Sequence, residues 1–259
     1  MKRRRFIALS FVSALAAAAA YTQPVTGENV KIYAAAAVKT SLTAIAAGYE
    51  RTTGNTVTVV FDSAGATQRK FLADPEAVLL ITTPARIEQA ESEGALQGGT
   101  SIVLGTTVAG VAVPPGSEKP DISSAEQLKD ALLAARRIAF SDPSRGATVG
   151  NHFMTVIESL GVKDEVLAKA TLARNGIETM RLVLEEGVDI GITQTVEILQ
   201  ANRDALAGPF PEEFELATTY SLWHRGNISP AVGDFVAMLI GPDGREKLVE
   251  EGLSPPAAR

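Results

Sequence analysis

The chain of 259 residues contains no cysteine. Disulfides, thiolate nucleophiles and cysteine-ligated zinc are thereby excluded, and a protein of this size can be stable on its core alone. Histidine is nearly as scarce: His152 and His224 are the two in the sequence, too few for a histidine metal cluster. The sequence carries no Gly-x-Ser-x-Gly, Gly-x-Gly-x-x-Gly or phosphate-loop motif. Past the first twenty residues, no stretch is long and apolar enough to cross a bilayer. Basic residues are outnumbered, 24 against 30 acidic, for a formal charge of -6. Four of them cluster at the extreme N-terminus, and without these the balance is about -10. Nucleic acid and anionic lipid are poor partners for such a chain.

What is present begins with a leader. Lys2, Arg3, Arg4 and Arg5 precede an uncharged stretch, Phe6 to Ala20, that is apolar and then alanine-rich. That is the layout of a secretory signal peptide over residues 1–20, cleaved between about 20 and 27. The run is short for a membrane span, which needs roughly twenty residues, although an uncleaved anchor is the other reading. The pattern predicts export, to the periplasm in a bacterial cell.

The remainder alternates strands and helices. Val30 to Val38 reads as a buried strand, followed by Leu42, Ile45 and Tyr49 at helical spacing with Thr40 or Ser41 as cap. Thr56 to Phe61 and Val78 to Ile81 are strands around a short helix from about Gly65 to Leu72. Thr83-Pro84 opens a helix that Gly94 closes. A second set has a strand at Val108 to Val113, a capping box at Ser123 and Glu126, and a strand at Ile138 to Phe140. Helices follow at Val149 to Leu160 and Ile177 to Leu184, then a strand from Val188 to Ile192. An extended run from about Glu215 to Trp223 precedes two closing helices, Pro230 to Ile240 and Pro242 to Glu251. Such βα repeats give mainly parallel sheets with helices on both faces. The pattern allows two independent domains, or one lobe interrupted by another with crossings near Thr106 and Thr218.

Three segments carry a resemblance. Ile32-Tyr33-Ala34-Ala35-Ala36-Ala37 leads to Leu42, Ile45, Tyr49 and Thr53-Gly54. Asp189-Ile190-Gly191-Ile192 is followed by Gln194 and Glu197, and Gly241-Pro242-Asp243-Gly244 runs through Gly252 to Pro255. Over Val30 to Pro256, the chain resembles the molybdate-binding-protein family of periplasmic solute-binding proteins. The resemblance implies an α/β, two-lobed periplasmic-binding-protein fold (type II), with the ligand in the cleft and a hinge between lobes. Residues 28–106 and 219–259 would form lobe 1, and 107–218 lobe 2. It also implies a monomeric receptor without cofactor or metal, which delivers a small anionic solute to an ABC permease.

The cleft departs from that family. The serine that usually follows the first strand falls at Ala37, and the second matches Ser63 only if the Asp62-Ser63-Ala64-Gly65-Ala66 turn shifts by one. A lost hydrogen bond to a charged ligand weakens binding roughly ten- to a hundredfold, which argues against molybdate. Ser63 and Ala64 still open a helix whose N-H groups suit an anion. The loop Asp142 to Gly150 follows a strand of the other set, and open α/β sheets bind ligands at the carboxyl ends of their strands. Its Ser144, Arg145 and Thr148 are therefore candidates, with Arg145 as a bidentate clamp on a carboxylate or a solvated loop arginine. Gln194 stands where molybdate binders often carry tyrosine; with Thr193 it is a ligand contact or a helix cap. Thr82, Thr83, Trp223, His224 and Arg225 are weaker candidates, and Asp142, Ser144 and His152 are a thin basis for a triad.

Two functions are open. One is a receptor for an organic (poly)carboxylate rather than molybdate. The other is an enzyme, because a periplasmic aconitate isomerase is similar to this family and shares its fold. Lys39, at a position commonly uncharged in the family, is a ligand-binding candidate that fits a polycarboxylate better than molybdate; in the enzyme Lys39 and His152 would serve proton transfer, with Arg145 holding carboxylates.

Overall fold

The computed structural model describes residues 27–256. The signal peptide expected over residues 1–20 lies outside the described residues. The first set of elements is β1 (Asn29–Ala35), α1 (Lys39–Thr53), β2 (Thr56–Asp62), α2 (Ala64–Leu72), β3 (Leu79–Thr82) and α3 (Pro84–Ser92). A long strand, β4 (Thr100–Ala112), leads to the second set: α4 (Ala125–Ala134), β5 (Ile138–Ser141), α5 (Thr148–Ser159), α6 (Lys163–Leu167) and β6 (Ala170–Ala173). That set continues through α7 (Gly176–Glu185), β7 (Ile190–Gln194), α8 (Thr195–Ala201) and β8 (Leu206–Pro209). The chain ends with β9 (Ala217–His224), α9 (Pro230–Ile240) and α10 (Pro242–Glu250).

The strands join in the order β2-β1-β3-β9-β4-β7-β5-β6, with β8 beside β4. β1 is parallel to β2 and β3, and β5 is parallel to β6 and β7. Between these parallel triplets run β9 and β4, antiparallel to each other and to their outer neighbours. β9 inserts between β3 and β4, so the chain's last strand returns to the half built by its first ones. β4 serves both halves: Thr100 to Val108 pair with β9, and Ala109 to Ala112 pair with β7. Its register with β9 shifts between Val103 and Gly105. This is the expected α/β, two-lobed fold.

Alternation along each strand explains why both faces are covered. Ile32 on β1 and Ile81 on β3 pack with Leu42, Tyr49 and Phe235 on one face, while Tyr33 and Leu80 pack with Phe71 and Trp223 on the other. In the second half, Phe140 and Ile192 meet Phe153 on one face, and Ala139 meets Met180 and Val183 on the opposite one. The βα turns after the parallel strands deliver the starts of their helices to the carboxyl ends of those strands, and turns from both halves line one cavity.

Several boundaries differ from the sequence reading. β1 stops at Ala35, and Ala36–Val38 make a 3-10 turn that carries the chain into α1. The helix expected from Ser123 is capped by Ser124 instead, whose hydroxyl accepts from the Gln127 N-H at 3.4 Å. β4 begins eight residues earlier than the strand expected at Val108. Its polar stretch Thr100 to Thr107 is held by β9, a partner more than a hundred residues away.

Candidate functional site

A cavity lies where the two halves meet. Ala35 and Ala36 line it after β1, Ser63 and Ala64 after β2, and Ser141 at the end of β5. Ala147, Thr148 and Val149 line it at the start of α5, and Gly176 does so at the start of α7. Thr193, Gln194 and Glu197 come from the turn between β7 and α8, and Tyr220 comes from β9. Four elements thus begin as helices at its wall, aiming N-H groups and the positive ends of their dipoles inward. No lysine, arginine or histidine is among these lining residues. Its donors are neutral: backbone N-H groups and the hydroxyls of Ser141, Thr148 and Tyr220. Its volume of about 20 Å³ holds little more than a water molecule, so a larger occupant parts the lobes.

Two ionisable groups line this cavity. Burial pushes the Glu197 carboxyl up, against the partial relief of the Thr193 hydroxyl and the Gln194 N-H that donate to it. Burial also drives the Tyr220 phenol up, and the nearby Glu197 adds to the shift. Gln194 is 2% exposed; its Nε2 donates to the Thr218 Oγ1 at 2.9 Å, while its buried Oε1 has no partner. A Cβ on Gly176 would fall 2.0 Å from the Glu197 Oε2. Only glycine lets the start of α7 approach that carboxyl so closely.

The cleft is latched shut beside the cavity. Asp62, at the end of β2, is buried and accepts from the Arg145 Nη2 at 2.9 and 3.2 Å and from the Lys70 Nζ at 2.7 Å. Burial alone would raise the Asp62 carboxyl, but Lys70, the Ser63 N-H and Arg145 together hold it below its ordinary value. The backbone of the Arg145 loop is gripped too. The Ser63 Oγ donates to the Arg145 carbonyl at 3.0 Å, and the Arg86 Nη2 donates to the Gly146 carbonyl at 2.8 Å. The Gly65 N-H reaches the same Gly146 carbonyl at 3.2 Å. Gly146 has φ +75°, and a Cβ there would lie 2.7 Å from the Arg86 Nη2.

Of the expected ligand contacts, Ser63, Ala64, Thr148 and Gln194 line the cavity. Arg145 does not: its guanidinium is engaged by Asp62 and by the Arg174 carbonyl, 3.2 Å from its Nε. Ser144 sits in the same latch loop, its N-H on the Asp142 Oδ1. Ala37 is buried behind the wall, its carbonyl taking a hydrogen bond from the Gln200 Nε2 at 2.9 Å. Lys39 is exposed and lines an outer groove of about 300 Å³ with Thr40, Arg181 and Gln200, which meets the cavity at Ala36 and Glu197. His152 packs near Phe210, its Nε2 on the Phe214 carbonyl at 2.8 Å, so Asp142, Ser144 and His152 form no triad. Thr82 donates to the Ala64 carbonyl, and Thr83 takes the N-cap position of α3. Trp223 is buried in the first half with its indole N-H on Glu91. The sequence reading missed Ser141, Tyr220 and Gly176. Glu197 was visible as a motif residue, but nothing local signalled its burial. Among the described residues no group of three or more acidic or histidine side chains is placed to hold a metal, and no helix is long and apolar enough to cross a membrane.

A two-lobed α/β protein with a neutral-donor cavity at facing strand ends is a solute-binding protein by design. The chain belongs to the bacterial extracellular solute-binding protein family, whose model matches residues 30–254. It is similar to an aconitate isomerase from a Pseudomonas species, 21% identical over 245 residues, covering 92% of this chain and 91% of that protein. The periplasmic molybdate-binding protein of Azotobacter vinelandii superposes with a TM-score of 0.69 at 17% identity, covering 88% of this chain and 99% of its own. A structure of PEB3, a Campylobacter jejuni protein, with bound L-phospholactate superposes with a TM-score of 0.62 at 19% identity, covering 87% and 99%.

Proposed function

We propose that the protein is a periplasmic receptor that closes on a small organic carboxylate and presents it to an ABC permease. The observation that carries this reading is the cavity itself: four helix starts and a set of hydroxyls from both lobes, with no basic side chain among them. Neutral donors bind an anion without the desolvation cost of a buried cation. The carboxylate-bearing ligand of PEB3 favours a carboxylate over molybdate. The lobes of this reading are 28–106 with 219–259, and 107–218; β4 and β9 act as the hinge, and the mature protein is monomeric. Titration calorimetry of the purified protein against small carboxylates and molybdate tests it. Saturable carboxylate binding supports the receptor, and micromolar molybdate binding with no carboxylate binding rejects it.

A second reading, an aconitate isomerase, is favoured by Glu197 and Tyr220, two buried ionisable groups at the cavity wall. Lys39 and His152 lie elsewhere, so these two would take the proton beside one carboxylate and return it at the allylic carbon. Proton NMR of trans-aconitate incubated with the protein decides it, since growth of the cis isomer requires turnover.

A further inference from the structure

At the Gln194 end, the cavity offers acceptors rather than donors. The Gln194 Oε1 is buried and unpartnered, while its amide nitrogen is committed to Thr218. Beside it, Glu197 takes the Thr193 hydroxyl and the Gln194 N-H on one carboxyl oxygen. A buried acceptor without a donor costs free energy that a suitable ligand recovers. A fully ionised tetrahedral oxyanion, or a plain carboxylate, has no hydrogen to give. We propose that Gln194 and Glu197 are the specificity-determining end of the site and that the ligand is an anion carrying its own hydrogen-bond donor. That class is the hydroxycarboxylates, and hydrogen phosphate shares its chemistry. This inference rests on the receptor reading and narrows it.

The charged groups near this end leave that chemistry in place. From the start of α1, Lys39 reaches only the outer groove, and on α7 Arg181 pairs with Glu178, Glu185 and Glu186. Tyr220 on β9 lines the same cavity as a donor beside the Gln194 side chain, and Gln194 and Glu197 contribute the acceptors there. A site that hydrogen-bonds a ligand hydroxyl strongly rejects the analogue lacking it, because its buried partner is then left bare.

The test uses pairs differing by one donor hydrogen: lactate against propionate, malate against succinate, citrate against tricarballylate, and hydrogen phosphate against sulfate. Each is titrated calorimetrically into the wild-type protein at neutral pH. The donor-bearing member of every pair that binds should be about ten- to a hundredfold tighter. Gln194→Met should shrink that preference to a few-fold. Equal affinities within the binding pairs overturn the inference while the carboxylate receptor stands. Tighter binding of succinate, sulfate or molybdate overturns it likewise. If no pair binds, the receptor reading and the inference fall together. The wild-type comparison decides the matter even if Gln194→Met does not fold.

Discussion

Arg145 offers the sharpest test, because the sequence and the structure give it different work. Its guanidinium meets Asp62 across the cleft at 2.9 Å, with Asp62 buried and the arginine side chain 33% exposed. A hydrogen bond to a charged group contributes about 1.5–3 kcal/mol, and partial exposure of the arginine lowers that to about 1–2 kcal/mol. The contact exists only when the lobes are together, so its loss shifts the balance toward the open form by about five- to thirtyfold. Apparent ligand affinity falls by the same factor where the open form then predominates, since only the closed form completes the site. Arg145→Ala and Asp62→Asn should each produce this loss in titration calorimetry, with an increased radius of gyration in the unliganded protein. The double variant should be little worse than either single one, because both remove one contact. If Arg145 instead clamped the ligand, Asp62→Asn would release it and preserve or strengthen binding. Full affinity in Asp62→Asn alongside lost binding in Arg145→Ala would refute the latch.

Glu197 supplies a pH prediction. Its folded pKa is raised above 4.5 by burial, so the folded state keeps a proton that the unfolded state releases. Stability from this group is present below about 4.5 and lost as pH rises through the folded value. Melting temperatures followed upward from pH 5 should therefore fall less in Glu197→Gln than in the wild type. Gly150 is wedged against β5: a Cβ there would sit 1.9 Å from the Ser141 carbonyl oxygen. Gly150→Ala should cost about 1–3 kcal/mol, a fall of several degrees in Tm by calorimetry, and should displace a residue that lines the cavity.

The elements that were legible in the sequence are those with local punctuation. Pro84 and Pro230 start helices, Gly54 takes a left-handed conformation at the end of α1, and Ile32 and Leu42 mark a buried strand and a buried helical face. Where structure depends on a distant partner, the sequence is silent. Thr100 to Thr107 looks like a polar loop and is a strand because β9 lies beside it. Ala170–Ala173 and Leu206–Pro209 are four-residue strands with no periodicity to detect. Part of the cavity was legible for a similar reason: Ser63, Thr148 and Gln194 sit at βα turns, whose direction is fixed by the fold.

Arg145 read as a ligand clamp in the sequence because charge is visible there and pairing is not. Asp62 stands 83 residues from Arg145, and nothing near either one announces the other. Their meeting changes the physical argument about the ligand. On the receptor reading, with both Arg145 and Lys39 outside the cavity, ligand charge is met by N-H groups and hydroxyls, and the Coulomb energy of an arginine is applied to closing the lobes instead. Recognition and closure are on that reading carried by different residues. A substitution at the latch alters how tightly every ligand is held, by a common factor. At Gln194 or Glu197 it alters which ligand is held, and ratios of affinities within matched pairs separate the two effects.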